Sequence, residues 1–346
     1  MPRFLHTADW QIGLKANFAG DRADALRAER LSTAHRIVEL ANTESVDFVL
    51  LCGDTFDDEW LFPETVSKVV EILGDACQSP VYVLPGNHDP LRPGSLWGKE
   101  PWISRPKNIV LLDRAEPREA PDCILLPCPL HQKKSGSDPT TWIQPDQGGS
   151  TIRIGVAHGA LDILPKRTNF PISPQVASFG SLDYMALGDW HGCRVDERIA
   201  YSGTPEPCQF DEVDPGYVLI TQLSSPGSEP VVNRKKVAGL TWHLIEGIAA
   251  NEDDVEDLLQ GLPEDLSKVC VRFTVRFTSK QAELCFKEAA QSRLESAFWV
   301  DGIPTSFEEA GDVEVPAGFL TDVYERLAGN ELALAEFQQL LRTVGS

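Results

Sequence analysis

Basic residues are scarce in this chain: 31 Lys and Arg stand against 52 Asp and Glu in 346 residues, a formal net charge of −21. Phosphate contacts need Lys and Arg, so the balance as a whole speaks against a free-standing nucleic-acid binder. The deficit is uneven, because Glu246 to Ser346 holds 20 acidic and 8 basic residues, net −12, leaving −9 for the first 245. Short basic clusters at Arg105-Pro106-Lys107, Lys133-Lys134 and Lys166-Arg167 fall in expected loops. Long apolar runs are also missing. None approaches the roughly 20 residues that cross a bilayer, so no membrane span is expected. The opening Met1 to His6 has no basic segment followed by an apolar one, so no signal peptide is expected and the expected compartment is the cytoplasm. The eight Cys show no paired spacing, and Cys52 and Cys270 lie inside apolar strands as small hydrophobes. Free thiols are therefore expected rather than disulfides. Cys193, two residues after His191, is not taken as a metal ligand. Internal repeats and low-complexity tracts are absent.

What remains is a chain with a hydrophobic share of 42%, enough for a large core. Short apolar runs at 3–8, 46–51 and 81–84 read as strands, separated by a helix over 21–43 and another opened by Pro63. Strands resume at 109–112, 124–126, 152–157, 184–187, 199–202 and 217–223, with a polar Gly/Pro-rich loop at 132–150. Alternating strands and helices followed by a run of strands predict an α/β architecture with sheets covered by helices. The Pro/Gly/Ser-rich stretch Ser224–Val232 marks a domain edge, giving a first domain over 1–232. A small βαβαβ domain is expected over 233–310, with Ser279 as the N-cap of its second helix. Two amphipathic helices are expected in 311–346, with Phe319, Leu320, Val323 and Leu327 on one face of the first. Leu332, Phe337, Leu340 and Leu341 recur in the second.

Five strands end in chemistry. Phe4–Gln11 (FLHTADWQ), Phe48–Asp57 (FVLLCGDTFD), Leu84–Asp89 (LPGNHD), Ile152–Gly159 (IRIGVAHG) and Met185–His191 (MALGDWH) each deliver Asp, Asn or His where an apolar run stops. Ligands at the C-terminal ends of strands fit the placement of sites in open α/β sheets. Two divalent ions held close together need a bridging carboxylate and further N or O ligands, with positions left open for water and phosphate. Asp54 is the natural bridge. Asp9 offers a carboxylate to one ion, and Asn87 and His158 an amide oxygen and an imidazole to the other. Asp189 and His191, two apart, would face the same way in extended chain and reach both ions. His88, beside a ligand, reads as a general acid. Such mixed ligation suits manganese, iron or zinc better than magnesium or calcium. Each piece also has a plain structural reading: His158 as a core histidine, Asp54 as a turn cap, and Trp10, Trp190 and Phe56 as packing residues.

The order D-x-Q, GD-x-x-D, GNHD, H-G, GD-x-H resembles the calcineurin-like metallophosphoesterase superfamily. Within it, HTADWQIG, GNHD, ALGDWHG and Tyr201-Ser-Gly-Thr-Pro205 are similar to the SbcD-type DNA repair exonuclease family. The resemblance covers about residues 3–223, and the segment 240–301 matches that family's capping domain only in placement and size. It implies a layered α/β-sandwich with Asp9, Asp54, Asn87, His158, Asp189 and His191 as metal ligands. His88 would protonate the leaving group, with Asp89 orienting it. The family usually has His where this chain has Gln11 and again where it has Asp189. Asp189 is a competent, harder ligand, whereas Gln11 offers only an amide oxygen, so the ion on Asp9 is expected to be loosely held. The resemblance further implies a manganese-dependent nuclease acting on DNA ends, a dimer, and an SbcC-type coiled-coil ATPase partner that would supply the missing basic surface. Two other readings stay open: a phosphatase or phosphodiesterase for small nucleotides, and a scaffold subunit whose site has decayed.

Overall fold

The computed structural model describes residues 1–302 apart from 76, 147 and 164–167, together with scattered positions between 320 and 337. In chain order it gives β1 (Arg3–Thr7), α1 (Ala23–Thr43), β2 (Phe48–Cys52), α2 (Pro63–Asp75), β3 (Val81–Leu84) and β4 (Ile109–Leu111). There follow β5 (Arg118–Ala120), β6 (Cys123–Cys128), β7 (Ile152–His158), β8 (Ala160–Leu161), β9 (Pro171–Ile172) and α3 (Val176–Phe179). Next come β10 (Tyr184–Gly188), β11 (Arg194–Asp196), β12 (Ile199–Tyr201), β13 (Tyr217–Gln222) and β14 (Val231–Lys236). The chain then continues through β15 (Thr241–Ala249), α4 (Glu252–Gln260), β16 (Val269–Phe277), α5 (Lys280–Leu294) and β17 (Trp299–Asp301).

The chain divides into two compact units, Met1–Gly239 and Leu240–Ser346. The division falls after residue 232 because Val231–Lys236 is the edge strand β14, paired antiparallel with β13. In the first unit two six-stranded sheets face each other, ordered β14-β13-β1-β2-β3-β4 and β11-β12-β10-β7-β6-β5. Strands β1 to β4 run parallel, as do β6, β7, β10 and β12. Alternation along each strand sorts its side chains between layers. On β2, Phe48, Leu50 and Cys52 join Phe4, Tyr184 and Val156 between the sheets. Val49 and Leu51 face the other way, onto Ile37, Val38, Val69 and Leu73 of α1 and α2. All five residues of β2 are buried, as a strand covered on both faces requires. The layer between the sheets is aromatic, with Phe4 stacked on Phe48 at 5.0 Å between centroids and edge-on to Tyr184 at 5.4 Å. This is the expected α/β-sandwich.

The second unit is a parallel three-stranded sheet, β15-β16-β17, carrying α4 and α5. Asn251 opens α4 with a capping box to Asp254. Ser279 opens α5, its side chain accepting from the Ala282 amide at 3.0 Å. Phe273, Phe277 and Phe286 fill its core. The amphipathic faces expected beyond residue 310 fall largely outside the described residues, as do Lys166 and Arg167.

Candidate metal centre

The parallel strands β1, β2, β3, β7 and β10 all end at one place, and the motif residues follow there. The backbone turns sharply as it leaves the strands. Asp9 (φ 55°), Gln11 (φ 46°), Asp54 (φ 50°) and Asp189 (φ 96°) all occupy the left-handed region, sparsely used by residues with a Cβ. Four of the eleven such non-glycine residues among those described fall in this one cluster, a placement that fits a functional site. The chain holds it with backbone bonds: Asp9 N donates to Gly53 O at 3.1 Å and Gln11 N to Asp54 O at 2.9 Å.

The centre is tightly knit. Oxygens of Asp9 and Asp54 and a ring nitrogen of His158 all lie within 4.8 Å of one another, and all three residues are buried. His158 donates Nδ1–H to Cys52 O at 2.9 Å, which turns Nε2 toward Asn87 Oδ1 at 2.9 Å, Asp54 Oδ2 at 3.4 Å and Asp189 Oδ1 at 3.9 Å. A ring nitrogen fixed by a carbonyl while the other faces carboxylates is the usual posture of a metal-binding histidine. The Asp189 amide donates to both oxygens of Asp9 at 3.2 Å. Asp54 Oδ1 accepts from the His88 amide at 2.9 Å.

Charge follows from this crowding. Burial pushes the Asp9 carboxyl up to about 7, with Asp54 and Asp189 adding to the rise while His158 and His191 oppose it. Burial also opposes the charge on Asp54, but His158 and His88 outweigh it and hold that carboxyl below its usual range. Burial works against protonation of His158, yet Asp54, Asp9 and Asp189 raise it to about 10. Buried carboxylates that depend on imidazolium protons for compensation are a donor set suited to a divalent cation.

His88 stands at the rim, its side chain 44% exposed. Its Nδ1 donates to Asp57 O at 3.0 Å, with Asp57 Oδ1 at 3.6 Å. That hydrogen bonding lifts the imidazole to about 9, against desolvation and with help from Asp54. The residue that meets His88 is thus Asp57 and not Asp89. The Asp89 carboxylate points into the fold, accepting the amides of Gly86 at 2.7 Å and Phe56 at 3.0 Å, which ties the GNHD turn to the GDTFD loop. Full burial of Asp89 explains why it serves the backbone instead of an exposed ring.

Asp189 and His191 do not share a direction. The strand β10 ends at Gly188 and the positive φ of Asp189 breaks the extended chain. Asp189 stays near His158, while His191 Nε2 lies 3.0 Å from Gln11 Nε2. His191 Nδ1 meets Glu212 Oε1 at 2.6 Å, and Cys208 Sγ lies 3.1 Å from the same oxygen. Neither Cys208 nor Glu212 is among the residues expected from sequence. Cys193 belongs to no group of potential ligands among the described residues. Trp10 and Phe56 are buried packing residues, Phe56 sitting against Trp97 and Trp102. All eight cysteines are free thiols.

A cavity of about 740 Å³ opens beside Asp189, lined by Lys134, Ser135, Thr168 and Asn169. The two loops that flank it are joined by Ser135 N donating to Asn169 Oδ1 at 2.9 Å and Phe170 N to Ser135 O at 2.8 Å.

The calcineurin-like phosphoesterase family model matches residues 2–175, a span that takes in the first four ligand-bearing strand ends. The chain belongs to the calcineurin-like phosphoesterase family. Membership makes this phosphoesterase a hydrolase, and the family's use of divalent metals agrees with the donor set at its centre. It is similar to the uncharacterized metallophosphoesterase YhaO of Bacillus subtilis (strain 168), 25% identical over 308 residues, which cover 80% of this chain and 72% of YhaO. It is also similar to the SbcD component of the nuclease SbcCD of Escherichia coli (strain K12), 26% identical over 293 residues, 67% of each protein. The SbcD component of the same nuclease in Bacillus subtilis (strain 168) is 34% identical over 94 residues, 25% of this chain and 22% of that protein. Among the described residues, no helix is long and apolar enough to cross a membrane.

Proposed function

We propose that this phosphoesterase is a two-metal phosphodiesterase that cuts DNA ends. The observation that carries the reading is the clustering of Asp9, Asp54, Asn87, His158 and Asp189 at one set of strand ends, with His191 beside Gln11 and a partly exposed imidazole, His88, at the rim. Asp54 would be shared between the two ions, with Asp9 and His191 holding one and Asn87, His158 and Asp189 the other. Bound divalent ions would neutralise phosphate charge and activate water. The chain's own residues do the rest. His158 is kept in one tautomer by Cys52 O, and the Asp189 amide fixes the Asp9 carboxylate. His88, protonated at neutral pH and anchored through Nδ1 to Asp57, presents Nε2–H to the departing oxygen. The cavity beside Asp189 gives a strand of substrate a path away from the centre, with Lys134 on its wall.

DNA is favoured over small nucleotides because the similarity to the SbcD component of the Escherichia coli nuclease spans two thirds of both chains and exceeds the length of the matched family segment. By the same similarity we propose an SbcC-type coiled-coil ATPase as partner, a homodimer as the assembly, and manganese as the working ion, with iron or zinc as alternatives. The test is a screen of purified protein with Mn²⁺ on duplex ends, single strands and phosphomonoesters, with Asp54→Asn as control. Release of nucleotides from DNA, lost in Asp54→Asn, supports the proposal. Turnover confined to phosphomonoesters or small cyclic nucleotides would replace it with the small-nucleotide reading. Inactivity on every substrate, without retained metal, would leave the scaffold reading.

A further inference from the structure

Two groups of potential metal ligands exist among the described residues, and one of them, Asp9, Asp54 and His158, lies wholly within the centre above. The other is His191, Cys208 and Glu212. Its three donor atoms differ in kind and converge: His191 Nδ1 to Glu212 Oε1 is 2.6 Å, Cys208 Sγ to Glu212 Oε1 3.1 Å, and Cys208 Sγ to His191 Nδ1 4.0 Å. Around a tetrahedral zinc ion, ligand atoms at bond lengths of 2.0–2.3 Å stand about 3.3–3.8 Å apart, so the trio needs sub-ångström adjustment to surround one. The cluster is sheltered, with side-chain exposure of 18% for His191 and 5% for Glu212. It is also built from behind. The Cys208 amide donates to Glu212 Oε2 at 3.0 Å, which fixes the carboxylate so that Oε1 faces the thiol and the imidazole.

The trio adjoins the carboxylate-bridged centre and shares His191 with it, the two ring nitrogens facing different neighbours: Nε2 meets Gln11 and Nδ1 meets Glu212. If the cluster served only to orient His191, Glu212 alone would suffice, as carboxylates behind metal-binding histidines commonly do. A sulfur donor adds nothing to that task that a hydroxyl could not supply. What it adds is softness, which selects zinc over manganese, magnesium or calcium.

We infer that His191 Nδ1, Cys208 Sγ and Glu212 Oε1 form a further divalent-cation site with a preference for zinc, adjoining the catalytic centre. Binding displaces the Cys208 thiol proton and the Nδ1 proton to solvent, and the coordination is completed by water. Because the site shares His191 with the proposed catalytic centre, zinc bound there constrains the ring that faces Gln11.

The test uses the full chain, stripped with a chelator and titrated with Co²⁺ alone as a spectroscopic stand-in for zinc. A thiolate-to-cobalt charge-transfer absorption in the near ultraviolet is expected at one equivalent per chain. It should vanish in Cys208→Ser and weaken in Glu212→Gln. It should persist in Asp54→Asn, which removes the bridge of the other centre, so the two readings fail independently. Zinc retained after dialysis should fall by one equivalent per chain in Cys208→Ser. Absence of the band from the wild-type protein at saturating Co²⁺, or its survival in Cys208→Ser, would overturn the inference and leave Glu212 and Cys208 as hydrogen-bonding supports of His191.

Discussion

His88 and Gln11 make opposite demands on the centre. His88 meets it through its backbone amide on Asp54 and through Nε2, 4.0 Å from Asp54 Oδ2, while its Nδ1 is held by Asp57. If that ring donates a proton and binds no metal, His88→Ala should leave metal content unchanged while turnover falls by about 10²–10⁴. Elemental analysis beside a rate measurement separates the roles, since loss of metal together with activity would make His88 a ligand. Gln11 stands where the family's usual imidazole would be, with its Nε2 on His191 Nε2 at 3.0 Å and its Oε1 3.5 Å from Cys208 Sγ. An amide there occupies the His191 nitrogen and gives a metal only a weak oxygen. Gln11→His should therefore lower the Mn²⁺ concentration needed for half-maximal activity. An unchanged midpoint would mean that position 11 faces away from the ions.

Elements explain why so much of the centre was legible beforehand. An apolar run followed by a polar motif is a local signal, and β1, β2, β3, β7 and β10 each carry one. Strand β14 carries none: at an exposed edge its burial barely alternates, and its first two residues fall in the Ser224–Val232 stretch that marks a domain edge in the sequence. Cys208 and Glu212 escaped for another reason. They lie in the connection between β12 and β13, 17 and 21 residues from His191, and only the fold brings them to it. Asp57 was visible inside GDTFD, but its partner was not, because nothing local distinguishes which carboxylate reaches the His88 ring. Close approach of elements also gives the motif glycines a task. A Cβ on Gly188 would meet Cys52 O at 2.1 Å and His158 Nδ1 at 2.7 Å, the two atoms of the bond that fixes His158. Gly188→Ala should loosen metal binding by about 10–100-fold, as displaced supporting bonds do. A metal titration checks this, and wild-type affinity in the variant would mean that β2 and β10 can part at no cost to the ligand.

At the scale of the whole molecule, His6 couples the two sheets to pH. It lies buried between them, Nδ1 at 3.1 Å from Tyr184 Oη and Nε2 at 3.1 Å from Leu187 O. Burial drives its imidazole down to about 3, only partly opposed by the Leu187 carbonyl, from 6.5 in exposed chain. Above 6.5 neither state holds the proton and His6 contributes nothing to pH dependence. Between 6.5 and 3 the unfolded chain alone takes it up, so stability falls as pH falls, by up to about 1.4 kcal/mol per unit. His6→Gln cannot titrate. Urea unfolding at pH 6.5 and 4.5 should therefore show the wild-type protein losing roughly 2–3 kcal/mol more than the variant. Equal losses would place the acid sensitivity elsewhere.

Net charge sets the last expectation. With −21 overall, the few cations near the cavity are mostly committed: Lys133 pairs with Asp58 and Glu59, and Arg92 with Glu59. Among the described residues, Lys134 is the cation on the cavity wall. Each phosphate neutralised on duplex DNA contributes a slope of about −0.9 to the dependence of log affinity on log salt. The isolated chain should accordingly bind duplex ends weakly, with a slope no steeper than about −2, as one or two contacts dictate. A partner that supplies the basic surface should steepen it, because its Lys and Arg release further counterions. Fluorescence anisotropy across a salt series, with and without an SbcC-type ATPase, measures both slopes. A steep slope for the chain alone, on the order of −6 or beyond, would mean that this acidic protein concentrates its own phosphate-binding face and that the argument for a DNA-binding partner from charge fails.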